Sequence, residues 1–455
     1  MSENVVKENK MGVMPENKLL LNMSIPMVVS MLIQALYNIV DSIFVAQINE
    51  SALTAVSLAF PAQSLMIAVG AGTGTGVNAM LSRNLGAKKY EEANKTANMG
   101  ILLGIISYVV FATLGLFIER PFYEFQSNDS LIVNYGVEYL TIVMIASFGV
   151  MGQLTLERLL QATGRTIYSM FMQGTGAIIN LILDPILIFG YFGMPKMGVS
   201  GAAIATVVGQ IAAAILGVVF NLKVNKEIKL SFKSIFKPCA KTIKNIYKVG
   251  VPAIIMQSIT SVLTFAMNLI LVGFTATATA VFGVYFKLNS FLFMPMFGMS
   301  NGVIPILSYN YGARKPERVL KTISLAMRYA MGLMLIGLVV FETIPDLLMH
   351  MFNASDEMLA MGVVALRIIA ICFAFAGFNI CCSTVFQSIG NPMHSMIMSI
   401  TRQLVVLLPV AWGLSLFGDV NLVWWSFPIA EIAATVFCVI FLKKTLAKVK
   451  QLQNN

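Results

Sequence analysis

The stretch SRNLGAKKYEEA at residues 82–93 returns 226 residues later as SYNYGARKPERV at 308–319. Asn84, Gly86, Ala87 and Glu91 reappear as Asn310, Gly312, Ala313 and Glu317. The same offset lays IPMVVSMLIQ (25–34) over VPAIIMQSIT (251–260), so that Pro26 meets Pro252 and, further on, Gly72 and Gly76 meet Gly298 and Gly302. It also carries QATGRTIYSM (161–170) onto QSIGNPMHSM (387–396) without a gap. A chain that repeats itself at a fixed distance is built from copies of one structural unit.

Each copy is dominated by apolar windows. Of 455 residues 57% are hydrophobic and 11% charged, against about 25% charged in an ordinary soluble domain. Mostly apolar windows recur from Leu19 to Leu442, each long enough to cross a hydrocarbon core of ~30 Å at ~1.5 Å per residue. The pattern predicts an all-α polytopic membrane protein with twelve spans: 19–47, 52–80, 96–118, 131–156, 167–190, 199–221, 246–273, 279–306, 321–344, 358–386, 394–417 and 421–442. The repeat groups them into a first six-helix lobe (1–221), a linker (222–245) and a second six-helix lobe (246–455). An even number of spans per copy brings both lobes in from one side, so they are expected to face each other across a central cavity. That is a transporter architecture, suited to alternating access.

The formal net charge of +10 is distributed as topology rather than as a nucleic-acid surface. Lysines and arginines gather in the amino-terminal arm (Lys7, Lys10, Lys18), after span two (Arg83, Lys88, Lys89, Lys95), after span four (Arg158, Arg165), after span eight (Arg314, Lys315, Arg318, Lys321) and at the end of the chain. The densest group, Lys223 to Lys248, fills the linker region. The opposite loops hold mostly acids, among them Glu50, Glu119, Asp129, Asp356 and Asp419. The positive-inside rule then places both termini and the linker in the cytoplasm of a multi-pass inner or plasma-membrane protein. No cleaved signal peptide is expected ahead of the first span. A lipid-headgroup role for the 222–245 lysines is a second reading of the same charges. The five cysteines suggest neither a disulfide framework nor a paired metal motif.

Ionisable residues inside spans are costly and therefore candidates for function. Asp41 in span one, Asp184 in span five and Tyr139 in span four all fall roughly 9–12 Å below the outer helix ends. In span one Ser30, Gln34, Tyr37, Asn38 and Asp41 form one stripe; in span five Gln173, Asn180 and Asp184 share a face. Two carboxylates, an amide and a phenol at one level can share a proton, and their oxygens equally suit a dehydrated Na⁺ at Asp41, Asn180 and Asp184. At the 226 offset these positions become Met267, Val406 and Val410, so the fold of the lobe does not require the cluster. Pro26 and Pro185 permit bends near it. Lys287 and Glu431 are expected to pair in the second lobe, and Glu157 to sit near Arg158 and Arg165. The AGTGTG run at 71–76 lacks a preceding strand and reads as close helix packing, not a phosphate loop. Thirty methionines and thirty phenylalanines suit a deformable apolar cavity.

NIVDSIFVAQI (38–48), INLILDPILIFGYFG (179–193) and the repeated Gly-Ala-basic motif resemble the multidrug and toxic compound extrusion (MATE) family, most closely its prokaryotic DinF-like branch that includes multidrug pumps of Gram-positive bacteria. The resemblance covers essentially the whole chain. It implies a monomeric antiporter, without cofactor, that expels cationic or amphiphilic compounds in exchange for H⁺ or Na⁺. It also implies ion coupling at Asp41, Tyr139, Asn180 and Asp184, with a first-helix bend at Pro26. Gln34, Tyr37, Asn38, Glu157 and Lys287 are the candidate substrate-cavity residues. One departure stands out: the span-six hydroxyl usual in the cluster is replaced by Ala202, with Thr206 one turn deeper. The competing reading is a flippase for a lipid-linked precursor, for which Lys287 and Arg402 would have to bind a diphosphate. An intramembrane enzyme is disfavoured, because the only histidines, His350 and His394, fall near opposite membrane faces.

Overall fold

Two glycine-lined helix contacts, one in each packing unit, organise the architecture. The structure, a computed structural model, describes residues 8–352 and 354–453, and among them it contains helices and no strand. Lys7 lies outside the described residues. Twelve spanning segments follow in order: α1 (Glu16–Ala46), α2 (Glu50–Gly86), α3 (Tyr90–Leu114), α4 in two pieces (Ser130–Ile145 and Phe148–Ala162), α5 (Thr166–Phe189) and α6 (Val199–Lys223). The second set is α7 (Ala240–Val272), α8 (Ala276–Gly312), α9 (Pro316–Thr343), α10 in two pieces (Asp356–Ala370 and Phe373–Ile389), α11 (Pro392–Ser415) and α12 (Ser426–Lys450). Ten helices are long and apolar enough to span a bilayer, and the two broken pairs bring the number to twelve.

The breaks were not legible in the apolar pattern. α4 bends by 45° and α10 by 50°, at points within one residue of the repeat offset. α1 and α5, in contrast, run on as continuous helices through Pro26 and Pro185. In α11 residues Thr401–Leu407 form a π-helical segment immediately before Pro409, whose missing N–H interrupts the regular hydrogen-bond ladder.

Packing divides the described chain into an N unit, Val29–Ile254, and a C unit made of the described residues up to Val28 together with those from Ile255 on. The boundary falls inside α1 and α7, two residues after Pro26 and Pro252, instead of in the 222–245 linker. The amino-terminal half of each copy's first helix therefore packs with the other copy. In the N unit α7 lies on the glycine face of α2: a Cβ on Gly72 would stand 2.7 Å from the Ile254 nitrogen, and one on Gly76 would strike the Ile246 carbonyl. In the C unit α1 lies on α8 in the same way, with a Cβ on Gly298 2.7 Å from Val28 Cα and one on Gly302 2.8 Å from Ser24 Cα. Membrane helices gain little from excluding lipid, so backbones that approach this closely supply the packing contacts instead.

The repeated Gly-Ala-basic motif closes α2 and α8. The Lys89 N–H donates to the Asn84 carbonyl (2.9 Å) and that of Lys315 to Asn310 (3.0 Å); this six-to-one closure requires a left-handed residue just past the helix. Lys88 (φ 57°) and Arg314 (φ 54°) fill that role. The repeated asparagines then reach outward, Asn84 to Thr96 on α3 (3.2 Å) and Asn310 to the Met11 carbonyl (2.9 Å). Arg318 holds the same arm through the Met14 carbonyl (2.6 Å) and the Glu16 carboxylate (3.2 Å).

Gly76→Leu and Gly302→Leu should each lower the stability of the protein by about 3 kcal/mol or more through overpacking. Gly332→Ala, where an added Cβ meets nothing within 4 Å, should be neutral or slightly stabilising. Melting temperatures of the three purified variants in one detergent decide this; equal melting curves would mean that the glycine contacts are not what holds α1 and α7 in place.

Candidate functional site

The site lies in the N unit, where α5 and α6 approach backbone to backbone. A Cβ on Gly209 would stand 2.6 Å from the Gly176 carbonyl, and one on Gly201 would stand 2.6 Å from that of Leu187. This contact sets Asn180 of α5 against α6: its Nδ2 donates to Thr206 Oγ1 (3.4 Å) and, one turn along α5, to Asp184 Oδ1 (3.3 Å). Thr206 thus supplies the α6 hydroxyl that Ala202 cannot.

Asp41 arrives from α1, its carboxyl within hydrogen-bonding reach of that of Asp184. Tyr139 arrives from α4, buried, with its hydroxyl accepting from Gln63 Nε2 of α2 (3.1 Å). Asp41 lies close enough to Tyr37 and Tyr139 for its charge to act on both hydroxyls. Asp184 is fully buried and Asn180 nearly so. Even so, Asp41 Oδ1, Asn180 Oδ1 and Asp184 Oδ2 are buried oxygens that meet no hydrogen-bond donor among the described residues. Buried acceptors left in this state are uncommon and costly. An oxygen-only set of this kind is chemically suited to a proton or a small hard cation.

Beside the cluster is a cavity of about 20 Å³ lined by Tyr37, Gln153, Gln173, Asn180, Thr206 and Gln210, enough for a single water. Two glutamine contacts extend the polar face, Gln153 to Gln173 (2.9 Å) and Gln173 to Gln34 (3.1 Å). One turn beyond Gln153 on α4 stands buried Glu157, whose Oε1 accepts from Gln161 Nε2 (2.7 Å). Gln161 in turn accepts from Arg158 Nη1 (3.1 Å).

Of the residues singled out in the sequence, Asp41, Tyr139, Asn180 and Asp184 come together, with Tyr37 at their edge. Gln34 joins the glutamine contacts, whereas Asn38 is exposed. Pro26 falls in the C unit, two residues before the unit boundary within α1. Gln63, Gln153 and Gln210 were missed. Gln153 did carry a signal, since the 226 offset maps it onto Asn379, an amide at the same place in both copies.

The C unit contradicts the expected Lys287–Glu431 pair. Glu431 Oε1 is held by Arg402 Nη1 (2.7 Å) and its Oε2 by Asn379 Nδ2 (2.7 Å). Lys287 lies instead 5.9 Å above the Phe352 ring centroid. Arg402 sits on the π-helical segment of α11.

Comparison with known proteins follows from this geometry. The MatE family profile matches the chain twice, over residues 26–186 and 252–412. The matches begin 226 residues apart, the offset of the internal repeat. This chain belongs to the MatE family. It is therefore a multi-pass membrane transporter and not an enzyme. The multidrug export protein MepA of Staphylococcus haemolyticus is 26% identical over 416 residues, covering 91% of this chain and 90% of that protein. A solved outward-facing multidrug resistance MATE family transporter of the MOP superfamily superposes with a TM-score of 0.91 over 99% of this chain and 100% of its own, at 24% identity. A MATE structure in the straight conformation gives 0.90 over 98% and 99%, also at 24% identity. At these identities the structural likeness is one of fold, and for this MatE member the site rests on its own residues.

The Arg402–Glu431 pair gives a stability test. Arg402→Leu alone should cost about 3 kcal/mol, because it leaves the largely buried Glu431 carboxylate with no cation and only the Asn379 amide, whereas Arg402→Leu with Glu431→Leu should recover most of the loss. A double-mutant cycle on melting temperatures measures the coupling; additive losses would show that the pair contributes no joint stabilisation.

Proposed function

We propose that this chain is a secondary active multidrug exporter that expels cationic or amphiphilic compounds in exchange for H⁺ or Na⁺. The observation that carries the proposal is the set of donorless buried oxygens on Asp41, Asn180 and Asp184, present in one copy of a repeat whose other copy has Met267, Val406 and Val410 in their place. Two carboxyls within reach of each other, both acceptors when ionised, repel unless a proton or cation lies between them. Such a site binds its ion differently as the surrounding helices shift, and that difference is what couples ion flow to a conformational change. The multidrug-export character of the MepA relatives supports the substrate class.

In this reading Asp41, Tyr139, Asn180 and Asp184 form the coupling site, while Asn38, Glu157 and Lys287 contact substrate during the cycle. The lobes alternate access as a monomer, with both termini and the linker in the cytoplasm. A flippase for a diphosphate lipid would need Lys287 and Arg402 free to bind phosphate, and Arg402 is already engaged by Glu431.

Inside-out vesicles carrying the wild type, Asp41→Asn or Asp184→Asn test the proposal with a fluorescent cationic dye under an imposed proton gradient and then an imposed Na⁺ gradient. Dye movement should follow one gradient in the wild type and be lost in both variants. Wild-type transport in a folded, inserted variant would remove the cluster from coupling. No response to either gradient would overturn the antiport reading.

A further inference from the structure

We propose that the N unit binds an anionic phospholipid, with one acyl chain in a groove of about 430 Å³ and the phosphate headgroup among the lysines of the 222–245 linker. The proposal requires only that the chain is embedded in a bilayer and is independent of the coupled-transport reading.

The groove is walled by Ile105 of α3, Phe148 of α4, and Val218 and Leu222 of α6, and it is closed at one end by Phe232 and Ile235 of the linker. Its volume lies within the range of small-molecule sites, about 300–1,000 Å³. Any outward apolar groove in a membrane protein meets acyl chains, so the lining alone selects no particular lipid. The closed end does. Residues 222–245 contain seven lysines against a single glutamate, Glu227, and Lys223, Lys226, Lys229, Lys233 and Lys237 are all exposed. Lysine clusters of this density beside a membrane helix select anionic headgroups.

This linker is fixed in place. Asn94 Oδ1 accepts from the Lys229 N–H (2.7 Å), Asn98 Oδ1 accepts from the Ser231 N–H (3.0 Å), and Asn98 Nδ2 donates to the Lys229 carbonyl (3.1 Å). Two asparagines of α3 thus hold the end of the groove at the backbone level and leave the lysine side chains free to turn outward. On either side of Lys233 the rings of Phe232 and Phe236, 80% and 53% exposed, lie 5.0 Å apart. Exposed aromatic rings alternating with lysines are the composition of a segment resting at the headgroup level. The acyl groove and the cationic site therefore adjoin, and the distinguishing ligand feature is a net negative phosphate headgroup, with no compensating cation, attached to a hydrocarbon chain.

The full-length protein, purified and exchanged into a neutral detergent, would be titrated with dioleoyl phosphatidylglycerol or dioleoyl phosphatidylcholine, and retained lipid counted by native mass spectrometry. Wild type should retain phosphatidylglycerol in preference. Lys233→Gln with Lys237→Gln should weaken phosphatidylglycerol binding about thirtyfold, at about one headgroup contact per lysine, and leave phosphatidylcholine unchanged. Ile105→Trp, which fills the groove, should lower retention of both lipids; if it does not fold, Val218→Trp replaces it. Inorganic phosphate should not displace the lipid. Equal retention of both lipids by the wild type overturns the proposal, as does a preference that survives the lysine substitutions. Phosphatidylglycerol binding unchanged by groove filling overturns the acyl site, and displacement by inorganic phosphate shows an anion site without lipid.

Discussion

Backbone-to-backbone contact at four glycines is the constraint on which the rest of the fold depends. In lipid, apolar side chains gain little by leaving one hydrocarbon surface for another, so helices adhere where they approach most closely. Gly72 and Gly76 admit α7, and Gly298 and Gly302 admit α1, so each unit is completed by the amino-terminal half of a helix whose carboxy-terminal half belongs to the other. The pair is a true repeat: the residues that meet Gly72 and Gly298 are Ile254 and Val28, themselves 226 positions apart. That exchange puts the two unit boundaries just after Pro26 and Pro252, where the ring has removed a helix hydrogen bond.

The same economy of space builds the candidate site. Gly176 and Gly209 bring α5 and α6 together, and the close approach turns Asn180 toward both Thr206 and Asp184. With the amide so engaged, its own oxygen and one oxygen of Asp184 have no donor. The equivalent region of the C unit resolves its charges internally, through Arg402, Glu431 and Asn379. One copy of the repeat thus pairs its acid with an arginine, whose Nε finds no partner among the described residues, and the other sets two acids beside each other.

The two cytoplasmic-side arms, as the charge pattern assigns them, are held by related devices. The amino-terminal arm is caught by Asn310 and Arg318 through backbone carbonyls, and the linker by Asn94 and Asn98 through backbone amides. In both cases side chains near one end of a spanning helix bond to the main chain of the arm. The side chains of the arm remain available, which in the linker means a row of lysines.

Sequence alone determined the class, the twelve apolar segments and the repeat, because hydrophobic length and self-similarity are properties of one dimension. It also indicated the site: helical spacing put Asn180 and Asp184 on one face, and equal depth put Asp41 and Tyr139 beside them. What it could not supply was any contact set by the approach of two helices. The breaks in α4 and α10 lie within apolar runs that read as continuous, and Arg402, not Lys287, is the cation that reaches Glu431. The Gln63 partner of Tyr139 and the exchange of half-helices between units were equally hidden. Depth along a helix follows from residue number at a fixed rise, but the direction in which a side chain meets its partner depends on helix rotation and spacing, and those were decided by where glycine lets two backbones touch.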